Sequence, residues 1–230
     1  MKKLPGTNYL LSMALPAVLF AGYLYDRPFT KVLATSRVSL AELSPQQRIN
    51  IQNAAARING VVLDRGAEFS FNRTVGPRTF RRGYLNAPSY VGKEAPFTMG
   101  GGICVVSSAL YQDALRSGLK ITERVPHLRT IGSALPGLDS TVWYGQADLR
   151  FADSLDCPVQ IITKSTPFDV TVELRGNPHI EGWKPAEITR SVRQVARDQI
   201  SVQVMSTQFN KTKFISSDVY GITTFGEHHQ

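Results

Sequence analysis

The pattern of apolar and polar positions changes character twice along this chain. Residues 9–25, YLLSMALPAVLFAGYLY, form an apolar run of seventeen residues without helical periodicity, preceded by Lys2 and Lys3. That length reaches the short limit of a membrane-crossing helix and exceeds a typical signal-peptide core. Basic residues ahead of the run predict a cytoplasmic N-terminus with the remainder exported. The expected arrangement is a cytoplasmic stub and membrane anchor over residues 1–30, carrying an extracytoplasmic domain. Cleavage near Ala21-Gly22, giving a secreted domain, is the alternative.

From Leu43 the periodicity becomes that of a folded domain. Ser44 as N-cap and Pro45 at the first helical position open a helix that runs to about Asn59, where Gly60 stops it. GVVLDRGAEFSFN reads as short strands around the turn Asp64-Arg65-Gly66. Residues 65–93 are rich in Gly, Pro and Asn and carry six basic residues against Glu68. They read as a long surface loop, either a solvated charged face or an anion-binding one. Val106, Ala109, Leu110 and Ala114 then recur at helical spacing, predicting a helix from about Ile103 to Ser117 that Gly118 ends. Beyond it come strand-like segments: LKITERVPHL, STVWYG, ADLRFA, CPVQIITKS and FDVTVELRG. A hairpin follows, QISVQVMSTQF and KFISSDVYGITTF around Asn210-Lys211. The fold class expected is α+β, with N-terminal helices, one bearing a cysteine at its start, on a mainly antiparallel sheet. One domain is expected over 31–176, with a C-terminal β extension over 177–230.

Composition narrows the partners. Of 230 residues, 42% are hydrophobic and 19% charged, which opposes wholesale disorder. The net charge of +8 suits nucleic acid, acidic headgroups or anionic wall polymers. Export and the lack of a nucleic-acid motif set nucleic acid aside. Two cysteines without a C-x-x-C, and four histidines without ligand spacing, predict neither a metal nor a cofactor. His228 and His229 sit in a tail that reads as frayed.

The candidate chemistry lies in GGGICVVSSALY, residues 100–111. A cysteine at a helix start meets unpaired N–H groups and the positive end of the helix dipole, which favour a thiolate. Gly101, Gly102 and Ile103 let substrate approach the backbone, and the amides from Ile103 to Val105 form a candidate oxyanion hole. Cys104 as nucleophile needs a base and an orienting partner. In chain order these are His127, in the strand-like VPHL, and Asp139, in LPGLDSTVWYG. Arg129 shares a strand face with His127 and is either a ligand for a substrate carboxylate or a surface residue. Ser108 and Tyr111 read as packing or capping residues, and Cys157 as packing. Two readings silence the thiol: an inert buried Cys104, or a Cys104–Cys157 disulfide.

GGGICVVSSALYQDALRSGLKITERVPH and PGLDSTVWYGQADLRF, with EFSFNRTVGPRTFRRGY upstream, resemble the VanW domain family. The likeness runs from about Asn50 to Thr163. That family was first named from glycopeptide-resistance clusters, and some members are understood to act as cysteine L,D-transpeptidases that cross-link peptidoglycan. The resemblance implies Cys104 as nucleophile, His127 and Asp139 as its helpers, and a peptidoglycan stem peptide as partner. Members usually carry glutamine directly after the cysteine, where this chain has Val105, which cannot hydrogen-bond. Two functions follow as expectations: an anchored cysteine enzyme of the cell wall, or a non-catalytic wall-binding or glycopeptide-resistance accessory protein.

Overall fold

The first helix begins where its side chains can close a capping box. Ser44 Oγ accepts from the Gln47 amide at 3.3 Å, and Gln47 Oε1 accepts from the Ser44 amide at 2.9 Å. Two of the helix's orphan donors are thereby satisfied. This helix, α1 (Pro45–Ile58), ends before Gly60 at φ 81°. In this computed structural model, residues 29–89 and 97–222 are described. The apolar run at 9–25 and the paired histidines lie outside them. Among the described residues, no helix is long and apolar enough to cross a membrane.

The core sheet has strand order β1 (Lys31–Ser39), β9 (Asp169–Gly176), β8 (Val159–Ser165) and β2 (Val62–Leu63), with every pairing antiparallel. Strict alternation along β9 buries Val170, Val172 and Leu174 on one face. On that face lie α1 and the cysteine helix α3 (Cys104–Ser117). Val106, Ala109, Leu110 and Ala114 are fully buried there. A glycine in the left-handed conformation, Gly118 at φ 81°, terminates α3, its N–H donating to the Ala114 and Leu115 carbonyls.

A smaller sheet orders β3 (Glu68–Ser70), β7 (Arg150–Ala152) and β6 (Lys120–Glu123), with Phe69 and Phe151 stacked at 4.9 Å between centroids. β4 (Asn86–Pro88) pairs with β5 (Phe97–Met99). The C-terminal residues form a three-stranded meander, β10 (Glu187–Ala196), β11 (Gln199–Gln208) and β12 (Lys211–Gly221). Its second turn places Phe209 and Asn210 at φ 51° and 58°, the twist a tight hairpin needs. The architecture is α+β and mainly antiparallel.

Three local expectations need correction. Residues 65–89 are not a loop: they hold β3, the short helix α2 (Phe71–Val75), a 3-10 turn at Phe80–Arg82 and β4. Phe71, Val75, Tyr84 and Ala87 anchor them in the core. Three of the arginines there turn onto backbone carbonyls: Arg73 to Glu68, Arg78 to Gly76 and Arg82 to Val75. The expected C-terminal hairpin gains β10, whose sequence lacks clear alternation because it is exposed along most of its length. VPHL and STVWYG are not strands; single bridges, Val125 to Thr141 and Trp143 to Ala147, hold that segment instead.

Candidate active site

The glycine run is held from behind by α1. Asn50, fully buried, donates to the Gly101 carbonyl at 3.0 Å and the Leu85 carbonyl at 2.9 Å, and accepts from the Leu85 amide at 2.8 Å. Gln47 donates to the Pro88 carbonyl at 3.0 Å. A Cβ on Gly101 would lie 2.3 Å from the Ala87 carbonyl oxygen, so only glycine fits between the loop and β4. Gly100 and Gly102 adopt φ 82° and 97°, and the chain then enters α3 with Cys104 as its first residue. The Ile103 and Val105 amides donate to the Gly100 and Gly102 carbonyls, at 3.3 and 3.0 Å. That removes both from the expected oxyanion hole. Among the described residues, the Gly102 and Cys104 amides make no hydrogen bond.

One turn further, α3 fixes the segment that carries the acid. Ser107 Oγ donates to the Ser140 carbonyl at 2.7 Å, and Ser108 Oγ accepts from the Ser140 amide at 2.9 Å. This places Asp139 beside His127, both buried. Asp139 Oδ2 accepts from the His127 amide and meets His127 Nδ1, each at 2.7 Å. Oδ1 accepts from Arg124 at 2.8 Å and from the Tyr220 hydroxyl at 2.7 Å. All four acceptor positions of the carboxylate are therefore filled. Burial pushes the Asp139 carboxyl up, but His127 and Arg124 outweigh it and hold the group at about 2. Burial likewise pulls His127 down, while Asp139 and the Cys104 side chain raise it to about 9. With Nδ1 engaged by Asp139, Nε2 is the nitrogen left for the sulfur. Cys104 is partly exposed, its Sγ 3.9 Å from the Val142 carbonyl oxygen. Cys104 and Cys157 are both free thiols, and Cys157 is buried in the core.

Cys104 and His127 open together into a cleft of about 280 Å³. The glycine run forms one wall, with Val142, Trp143, Tyr144 and Arg78 around it. A family model described as VanW like protein matches residues 46–175. The chain belongs to the VanW-like family. It is 41% identical over 115 residues to the uncharacterized protein YoaR of Bacillus subtilis, a match covering 50% of this chain and 38% of YoaR. It is 28% identical over 117 residues to the vancomycin B-type resistance protein VanW of Enterococcus faecalis, covering 49% of this chain and 42% of that protein. The match thus spans less than half the length of either relative. No solved structure matches the chain.

In this VanW-like chain the site draws on residues from beyond the matched stretch. Tyr220, on β12, accepts from Arg124 and from the Gly137 amide, each at 2.8 Å, while donating to Asp139. Its single proton and both lone-pair directions are in use. Asp218 forms the second ion pair of Arg124, whose guanidinium also lies 5.2 Å from the Tyr111 ring centroid. Arg124 further donates to the Asp139 carbonyl at 2.7 Å. Sequence reasoning did not find Arg124, Tyr220 or Asn50. Arg124 stood three residues before His127 with no motif of its own. Arg129 lies elsewhere: it is exposed, its backbone bridges to Gly221, and it does not line the cleft. Val105 is buried to 3% exposure and lends the cleft an apolar edge.

Proposed function

We propose that this chain is a cysteine acyltransferase acting on peptidoglycan stem peptides, of the L,D-transpeptidase type, with Cys104 as nucleophile, His127 as proton carrier and Asp139 as orienting carboxylate. One observation carries the reading: a fully satisfied, buried Asp139 holds His127 by Nδ1 at 2.7 Å, in the cleft where Cys104 begins its helix. A ring held up at about 9 is protonated at neutral pH. Beside a sulfur, such an imidazolium pairs with a thiolate and serves as acid to a departing amine. The sulfur attacks a peptide carbonyl, a C–S bond forms, the C–N bond breaks, and the amine leaves with the ring's proton. Its oxyanion is received by the Cys104 and Gly102 amides. An amine acceptor then gives a cross-link, and water gives hydrolysis.

The setting in this proposal is extracytoplasmic, with the apolar run at 9–25 as membrane anchor, supported by Lys2 and Lys3 ahead of it. A second reading, a non-catalytic wall-binding or glycopeptide-resistance accessory protein, is favoured by Val105. That side chain offers an oxyanion nothing.

Muropeptide turnover by the wild type beside Cys104→Ala separates the two. Acyl transfer requires altered muropeptides and a thioester mass adduct on the wild type alone. Unaltered muropeptides, no adduct, and a Cys104 that resists alkylation at neutral pH would leave the accessory reading standing.

A further inference from the structure

Among the described residues, one arginine lines the cleft, and it is neither Arg124 nor Arg129. Arg78 lines the same cleft as Cys104 and His127. Its stem lies against the glycine run, so closely that a Cβ on Gly100 would meet Arg78 Cγ at 2.7 Å. Its guanidinium carbon sits 5.7 Å from the Phe71 ring centroid and 5.7 Å from that of Tyr144. Among the described residues, only Nη1 is engaged, donating to the Gly76 carbonyl at 2.9 Å, and the buried Nε and Nη2 have no hydrogen-bond partner. Those two nitrogens form the side-on edge of the guanidinium that matches a carboxylate bidentately. Arg78 is half-buried, but leaving two of its buried donors unpaired is costly, and a native site that does so has a reason. Burial pulls the guanidinium below its ordinary value, while Tyr84 and Cys104 push it back, so Arg78 and the nucleophile are within electrostatic reach.

We propose that Arg78 is the carboxylate-binding residue of the cleft, and that it takes the terminal carboxylate of the acyl donor. The residue expelled when Cys104 is acylated is then one that bears a free carboxylate, and the donor is a peptide end rather than an internal bond. Because Nε and Nη2 are buried, binding requires a neighbouring side chain to shift, and in this proposal it is the exposed Tyr144 ring, 5.7 Å from the guanidinium carbon. Arg78 has no part in the proton transfer. It fixes register, so that the scissile carbonyl lies over Cys104 and the leaving amine over His127. The donor's identity rests on the acyl-transfer reading; the carboxylate site does not.

The test uses the full chain and two synthetic stem tetrapeptides, identical except that one ends in a free carboxylate and the other in a carboxamide. Binding is measured on Cys104→Ser, where no chemistry intervenes, and turnover on the wild type. The acid is expected to bind roughly 10- to 100-fold more tightly than the amide, the worth of a charge-assisted bidentate contact. Adding Arg78→Gln abolishes the preference, and Arg78→Lys, which keeps the stem and the charge, restores part of it. Melting curves verify that each variant is folded. Equal binding of the two peptides, or a preference that survives Arg78→Gln, overturns the proposal. A preference that depends on Arg78, without turnover or a thioester adduct in the wild type, leaves the carboxylate site standing and removes acyl transfer.

Discussion

Asp139→Asn would test the centre of the site, because the consequences can be worked out atom by atom. The amide keeps one acceptor oxygen, which can still receive Arg124 and Tyr220, as Asp139 Oδ1 does. The other position becomes an NH2 group facing the His127 amide and Nδ1, which met Oδ2 at 2.7 Å each. Nδ1 must then accept, so the ring gives up its Nδ1 proton, keeps the one on Nε2, and loses the positive charge it held beside the sulfur. Losing a charge-assisted hydrogen bond costs about 1.5–3 kcal/mol, or roughly 1–2 pKa units on the ring. His127 should therefore fall from about 9 to roughly 7–8. The backbone N–H of His127, now opposed by another donor, removes a further ~1–3 kcal/mol of stability. The linkage has a definite sign. The folded His127 pKa lies above the ordinary 6.5, so its stabilising contribution is complete below that value and lost as pH rises through about 9. The stability gap between wild type and Asp139→Asn should narrow over that window. NMR titration of the ring protons, with the His127 signal identified from a His127→Gln spectrum, reads the pKa directly. A wild-type ring titrating at its ordinary value, or an Asp139→Asn ring unmoved from about 9, refutes the argument.

Tyr220→Phe removes one hydroxyl that serves Arg124, Gly137 and Asp139, leaving the buried Gly137 amide without an acceptor. Chemical denaturation should show a loss of about 2 kcal/mol, and a change below ~0.5 kcal/mol would mean the hydroxyl is not structural. Gly101→Ala drives a methyl to 2.3 Å from the Ala87 carbonyl oxygen, so unfolding free energy should drop by at least ~1–3 kcal/mol, and Cys104 should label with altered kinetics. Unchanged stability would place slack where the structure has none. Asp113, fully buried on α3, is pushed up to about 7 by burial, against hydrogen bonding from Ser36. Its folded pKa exceeds the ordinary 3.8, so the native state loses stability as pH rises from there through about 7. Asp113→Asn keeps the acceptor for Ser36 and carries no charge. It should melt above the wild type near pH ~8 and match it near pH ~4, and equal melting at both would contradict the burial argument.

The parts of this molecule that could be read from sequence are those set by neighbours in the chain. Ser44-Pro45-Gln46-Gln47 closes its own capping box, and Gly118 ends α3 through carbonyls three and four residues back. Cys104 was legible for the same reason, since a glycine run and a helix start are local features. Chain order and resemblance single out His127 and Asp139 as candidates, and the two do meet in the fold, without the strand geometry supposed around them. Their segment is irregular, and Ser107, Ser108 and Arg124 hold it by bonds that no periodicity encodes. Arg78 was counted in a charged loop because composition records a cation without its direction. Phe71, Val75 and Tyr84 instead pull its segment into the core, and set Arg78 on the wall of the cleft with its guanidinium by the Phe71 ring.

Tyr220 marks the limit most clearly. Alternation on β12 shows only that it faces inward, and its partner Asp139 is 81 residues away. It also lies past the last residue of the family match, at 175. The hydrogen bonding of the Asp139 carboxylate is therefore completed by a strand beyond the matched stretch. Asp139 Oδ2 faces the histidine, while Oδ1 is held by Arg124 and a tyrosine from the C-terminal meander. The depressed carboxyl depends on both halves of that arrangement. In this chain the ionised state of Asp139, and with it the partner that His127 meets, is set by residues on both sides of position 175.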